Sequence, residues 1–404
     1  MRISLASLLG LGCAAALALP QAVATATPAH PTARAHHAAL QPPRTAALPL
    51  TVLAAPAGPH RAAAGAVRGL PARTTTAYSL LGVSWDDPAA TLDGTVEVRT
   101  RPVSRDGAPQ SWTAWRALSA DSEDRPDQGS ADLRTSRARG ATAPLWVGPS
   151  DGVEVRATGA ALPAGLRVDL VDPGDDPSAD VAAAAELPRD PQPANRMAPM
   201  VDHQAPRPGI VTRAGWGADE SLREPGYVYT DTVKVVFVHH TDTDNDYSCA
   251  DSPKVIRSIY EYHVESNGWR DIGYNFLVDR CGKIYEGRAG GVSRPVLGAH
   301  TLGFNTDSTG IAALGTYTEA EPPQAQVDGI AKIAAWKLGL TGRDARGSTV
   351  LTSASDGSRY AEGTSHTFAN ISGHRDAFAT DCPGENLYDL LPQIRNTAAH
   401  LQGR

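Results

Sequence analysis

Val235-Val236-Phe237-Val238-His239-His240 reads as a buried β-strand that ends on two histidines. The run is apolar and β-branched, as a strand inside a sheet requires. A strand end is a rigid place from which to deliver an imidazole onto a rim. Because strand side chains alternate, His239 and His240 point to opposite faces, and only one of them reaches a given site.

Downstream, the pattern changes to that of a helix starting at Asp251 or Ser252, with Pro253 in its first turn. Ile256, Ile259, Tyr260, His263 and Val264 share one face of it, and Gly268 stops it. On that face His263 reads as a packed core histidine. A strand over 274–278, a turn at Cys281-Gly282 and a strand over 283–286 then make a hairpin. Gly310-Ile311-Ala312-Ala313-Leu314-Gly315 reads as another buried strand. Helices are expected over 324–338 and 385–398, the last amphipathic at Leu387, Leu390, Leu391 and Ile394.

Upstream the texture is different. Met1-Arg2, an apolar run to Leu19 and the small-residue exit Gln21-Ala22-Val23-Ala24 make residues 1–24 an expected secretory signal. Residues 25–74, dominated by Ala, Pro and Thr, are expected to be a disordered tether. Over 75–172, short period-two segments such as Thr95-Val96-Glu97-Val98, Leu145-Trp146-Val147 and Leu166-Arg167-Val168-Asp169-Leu170 alternate with turn signals at Asp93-Gly94 and Asp151-Gly152. That pattern predicts an all-β, sandwich-like accessory module. Trp112, Trp115 and Trp146 in it read either as a carbohydrate-stacking face or as core aromatics. Residues 173–206, rich in Asp, Pro and Ala, are expected to be a linker, and 207–400 the catalytic part.

The formal net charge of −7 argues against a nucleic-acid binder, which would carry a basic footprint. No stretch beyond the signal is long and apolar enough to span a bilayer, so integral membrane association is not expected. The sequence is silent on oligomeric state. With Cys13 removed in the signal, Cys249, Cys281 and Cys382 remain, an odd number in an oxidising compartment. Two can pair; the third is free, intermolecular or held by a metal.

Gly373-His374-Arg375-Asp376, followed by Thr380-Asp381-Cys382-Pro383-Gly384, is the most specific segment. A histidine and a cysteine on one loop can converge on one metal ion. Imidazole and thiolate are both good zinc ligands, and three protein ligands leave a fourth position for water. Zinc would also explain the odd cysteine. His300, in the glycine-bounded loop Gly298-Ala299-His300-Thr301-Leu302-Gly303-Phe304-Asn305, suits substrate contact better than packing.

Together with Arg213-Ala214-Gly215-Trp216-Gly217-Ala218 and Gly273-Tyr274-Asn275-Phe276, these segments resemble the type 2 amidase family, which includes peptidoglycan recognition proteins. The resemblance runs from about Arg213 to about Ile394. It implies an α/β fold with a central mixed sheet flanked by helices, and the strands and helices above fit it. It implies Zn2+ held by His239, His374 and Cys382, catalytic roles for Tyr274 and Thr380, and substrate contacts from His300, Arg288 and Asn305. It also implies a disulfide, for which the partner of Cys249 here would be Cys281.

The activity implied is zinc-dependent cleavage of the amide between N-acetylmuramic acid and L-alanine in peptidoglycan, by a secreted, extracellular or cell-wall-associated protein. The alternative is a non-catalytic peptidoglycan-binding protein, and such members typically lack the zinc cysteine. A zinc peptidase would want His-Glu-x-x-His, and that motif is absent.

Overall fold

The computed structural model describes residues 41–53, 66–104, 106–119, 124–127, 129–131, 137–176, 186–187 and 203–404. The expected signal over 1–24 lies outside these residues, as do 25–40 and 54–65 of the expected tether.

The N-terminal half is a sheet-rich module. Its strands are β1 (Arg44–Pro49), β2 (Thr51–Val52), β3 (Ala66–Trp85), β4 (Asp93–Pro102), β5 (Arg116–Leu118), β6 (Gly140–Ala141), β7 (Leu145–Ala161) and β8 (Arg167–Asp172). They form one eight-stranded sheet in the order β1-β8-β3-β7-β4-β5, with β2 and β6 also paired to β3. The expected tether is therefore corrected at 44–49, 51–52 and 66–74, which are strands. Arg44-Thr45-Ala46-Ala47-Leu48-Pro49 carries little apolar bulk and its side chains stay largely exposed. It is held by backbone pairing to β8 along its whole length, from Arg44 opposite Asp172 to Pro49 opposite Arg167. A proline is tolerated there because β1 is an edge strand.

The central strands of this sheet are buried on both faces. Neighbouring residues point to opposite sides, and the pairs Leu80-Leu81, Leu145-Trp146 and Leu170-Val171 divide accordingly. Leu81, Leu145 and Leu170 join the module's own core with Trp85, Val96 and Val155. Leu80, Trp146 and Val171 join Val255, Ile259 and Tyr262 of the C-terminal half in a second core. Gly82 lets the halves approach closely, since a Cβ there would lie 2.1 Å from the Tyr262 hydroxyl. That hydroxyl donates to the Thr142 carbonyl at 3.1 Å. Trp146 is thus a core residue. Trp112 and Trp115 are covered instead by guanidinium groups, with Arg156 4.1 Å from the Trp115 ring and Arg99 5.5 Å from Trp112.

The C-terminal half is α/β, as expected. Its sheet takes β9 (Glu186–Leu187), β10 (Ile210–Val211), β11 (Val235–His240), β12 (Phe276–Val278), β13 (Ile284–Glu286), β14 (Ser308–Ala313) and β17 (Ile371–Gly373), in the order β17-β11-β14-β12-β13-β10-β9. The sheet is mixed: β11 runs parallel to β14 and β17, whereas β12 and β13 are antiparallel. A separate hairpin joins β15 (Ser348–Thr352) and β16 (Ser365–Ala369). Within the expected linker, β9 pairs with β10, and residues 173–176 are tied down by Arg257, which reaches the Pro173 carbonyl and Asp176.

Helix α1 (Arg213–Trp216) is short, and α2 (Ser252–Glu261) runs on into a π-helical turn over Tyr262–Ser266. Helix α3 (Gln324–Gly339) packs Val327, Ile330 and Ala334 on one face of the sheet, against Val236, Val238 and Ile311. The last expected helix is two, α4 (Glu385–Asp389) and α5 (Leu391–Leu401). Pro392 has no N–H to continue a helix and sits in the first turn of the second. Cys249 and Cys281 form a disulfide.

Candidate metal centre

The site is set by strand register. β11 and β17 run side by side with Val238 opposite Gly373. The next residue on each is a histidine, so His239 and His374 leave the same end of the sheet together, their ring centres 4.5 Å apart. This is the carboxyl end of the parallel strands, where open α/β sheets usually place their sites. Cys382 folds back from the following loop. Its Sγ lies 3.8 Å from His239 Nδ1 and accepts the His240 backbone N–H at 3.4 Å.

The donor atoms of His239, His374 and Cys382 all lie within 4.8 Å of one another, and all three residues are buried. Burial lowers the pKa of His239 to about 3 and that of His374 well below its ordinary value. Both imidazoles are therefore neutral at physiological pH and carry a lone pair, as a ligand must. Both ring nitrogens of His374 are buried without a hydrogen-bond partner. Unpartnered buried nitrogens are costly unless something fills the space between them, and two neutral imidazoles with a thiol form the donor set of a tetrahedral zinc site. The residues fit the ion.

Tyr274 is buried, its ring 5.6 Å from that of His239. Thr380 Oγ1 accepts the Cys382 N–H at 2.8 Å, which holds the cysteine in place. Three expected substrate contacts are located differently. His300 is fully buried behind the site, with Nδ1 3.2 Å from His239 Nε2. The ring fits because Gly310 has no side chain; a Cβ there would lie 2.4 Å from it. Arg288 is also buried, its guanidinium donating to the carbonyls of Ile272 and Asp271. Asn305 is buried too, and its Oδ1 accepts the backbone N–H groups of His300 and Thr301. His300 and Arg288 thus make their described polar contacts within the fold. With Nδ1 of His239 facing the donors, its Nε2–H donates to His300, an outer contact that orients a metal ligand. Replacing His300 with alanine is expected to weaken zinc binding by about ten- to a hundredfold, measured by competition with a chromophoric chelator.

One residue at the site was not expected. Asp124 reaches it from the β-module: Oδ2 accepts the Tyr274 hydroxyl at 2.5 Å, and Oδ1 lies 3.1 Å from His239 Nδ1. Burial raises its pKa to about 6, against the opposing pull of His374 and Tyr274. A polar loop in the other module carries no sequence signal that would place it here.

Two family descriptions match the chain: N-acetylmuramoyl-L-alanine amidase over residues 229–385, and Rv3811 N-terminal galactose-binding domain-like over 29–194. A human N-acetylmuramoyl-L-alanine amidase is 34% identical over 187 residues, which are 46% of this chain and 28% of that protein. Peptidoglycan-recognition protein LE of Drosophila melanogaster is 40% identical over 113 residues, 28% of this chain and 31% of the relative. The chain thus spans less than a third of the length of those two. Peptidoglycan-recognition protein SC2 of Drosophila simulans is 31% identical over 190 residues, 47% of this chain and 88% of the relative. Among solved structures, peptidoglycan recognition protein-LE in complex with tracheal cytotoxin aligns at 28% identity and a TM-score of 0.36, over 46% of this chain and 92% of that one. The chain belongs to the family of N-acetylmuramoyl-L-alanine amidases and peptidoglycan recognition proteins. Relatives bear both kinds of name.

Proposed function

We propose that the chain is an exported, zinc-dependent amidase that hydrolyses the bond between the lactyl group of N-acetylmuramic acid and L-alanine in peptidoglycan. The observation that carries this reading is the complete donor set of His239, His374 and Cys382. A zinc ion held there would polarise the lactyl carbonyl and lower the pKa of a water toward neutrality. Tyr274 is the residue to donate a hydrogen bond to the oxyanion that forms as the carbonyl carbon becomes tetrahedral. Such donors contribute on the order of a hundredfold in rate. The His240 N–H stabilises Cys382 as a thiolate, and Thr380, too weak a base to take a proton, positions it. A purely binding member would be expected to lack one of the three donors.

In this reading residues 1–24 direct export and the segment from about 207 to 400 carries the chemistry. The test is release of new amino groups from purified peptidoglycan, with and without a chelator. Activity that is lost to the chelator and returns with zinc is the expected result. Retention on the wall with no release under any condition would favour a binding protein.

A further inference from the structure

Residues 124–127, Asp124-Arg125-Pro126-Asp127, belong to the β-module but make most of their polar contacts with the catalytic half. Asp124 holds the Tyr274 hydroxyl through Oδ2. Its other oxygen, Oδ1, is buried, accepts no hydrogen bond, and lies 3.1 Å from His239 Nδ1 and 3.6 Å from His374 Nδ1. Oδ1 therefore stands directly over the two histidine donors, outside the cluster that they form with Cys382.

Three residues along, Asp127 Oδ1 accepts the Gly303 N–H at 2.6 Å and the Asn305 side-chain amide at 2.9 Å. Asn305 also donates to the Arg125 carbonyl at 3.1 Å. These are donors of the 298–305 loop, beside the site.

Two cavities flank the segment. On one side is a cavity of about 160 Å³ lined by Asp124, Tyr274 and Cys382. On the other is one of about 410 Å³ lined by Arg125, Pro126 and Leu302. Ala141, Asn267 and Trp269 border both. With residues 124–127 withdrawn, the two would join along Ala141, Asn267 and Trp269 into a single cleft of ligand-binding size, with Cys382 in its lining.

We propose that residues 124–127 are an internal plug: the Asp124 carboxylate covers the histidine donors and Tyr274, and Asp127 occupies the Gly303 and Asn305 donors. Resting on the amidase reading, this makes the chain self-inhibited until the plug is displaced. Asp124 covers the donors and the hydroxyl that hydrolysis needs, so only the withdrawn state is competent. The apparent affinity for substrate is then reduced by the fraction of chains in that state.

The experiment uses the full chain with Asp124→Ala, Asp124→Asn and Asp127→Ala, each checked for an unchanged thermal unfolding profile. Zinc affinity is measured by chelator competition, binding of a soluble muramoyl tripeptide by calorimetry, and hydrolysis by amine release. The plug predicts that Asp127→Ala binds the tripeptide at least about tenfold more tightly and turns over faster, with zinc affinity little changed. Asp124→Ala and Asp124→Asn should show the same gain in tripeptide binding. If the Asp124 variants lose hydrolysis while zinc and tripeptide affinities stay unchanged, Asp124 is a working proton-transfer group and the plug is overturned. Unaltered tripeptide binding in Asp127→Ala overturns it as well. If no variant hydrolyses peptidoglycan, the amidase reading fails by itself, and the two affinities still decide whether the plug exists.

Discussion

Cys382→Ser is expected to leave the folded chain without its metal and to lower amide hydrolysis by at least a factor of about one hundred. The loss of an outer contact to a metal ligand alone typically costs ten- to a hundredfold, and a direct ligand should cost no less. Serine offers a neutral hydroxyl where the site is built for a thiolate, with the His240 N–H directed at Sγ. The replacement is smaller and sits in a buried position, so the fold tolerates it. The measurements are metal content of the purified chain, amine release from peptidoglycan, and retention on the insoluble wall. Zinc and hydrolysis should fall together while retention persists. Full turnover in the variant would remove Cys382 from the donor set.

The second large effect concerns stability. Trp146→Ala is expected to cost about 3–5 kcal/mol, the usual range for deleting a large buried aromatic. Trp146 stands opposite Leu80 in the β-module and packs in the core that also holds Val255, Ile259 and Tyr262 of the C-terminal half. Because that core is shared, urea unfolding should remain a single transition displaced to lower urea. Two separated transitions, with only one displaced, would mean that the halves fold independently.

The C-terminal half was the more legible part of the sequence because its signals are local. The apolar run of β11 announces a buried strand and its histidine end, and Gly373-His374 with Cys382 announces metal chemistry within ten residues. What brings His374 beside His239 is harder to read: β17 is only Ile371-Ser372-Gly373, too short for any periodicity. His300 looked exposed because glycines flank its loop, yet its space is created by Gly310 on another strand. Arg288 looked like a ligand for substrate, whereas backbone carbonyls satisfy it. Contacts of that kind depend on tertiary placement, which no window of sequence contains.

In the N-terminal half, alternation correctly marked the strands but understated what they bury. Leu145-Trp146 and Leu170-Val171 are consecutive apolar pairs, and such pairs belong to strands covered on both sides. β1 escaped notice for the opposite reason, since its pairing is a backbone matter and its side chains are mostly exposed.

The two-sided burial of that sheet has a bearing on how such chains can diversify. An accessory unit joined by a flexible string is a cassette: it can be lost, duplicated or exchanged with little effect on its neighbour. Here Leu80, Trp146, Val171 and the space left by Gly82 are one half of a mould whose other half is Tyr262, Val255 and Ile259. Exchanging the first module for a different unit would uncover the apolar surface it now seals. The two halves are therefore obliged to change together, residue against residue, along the seam.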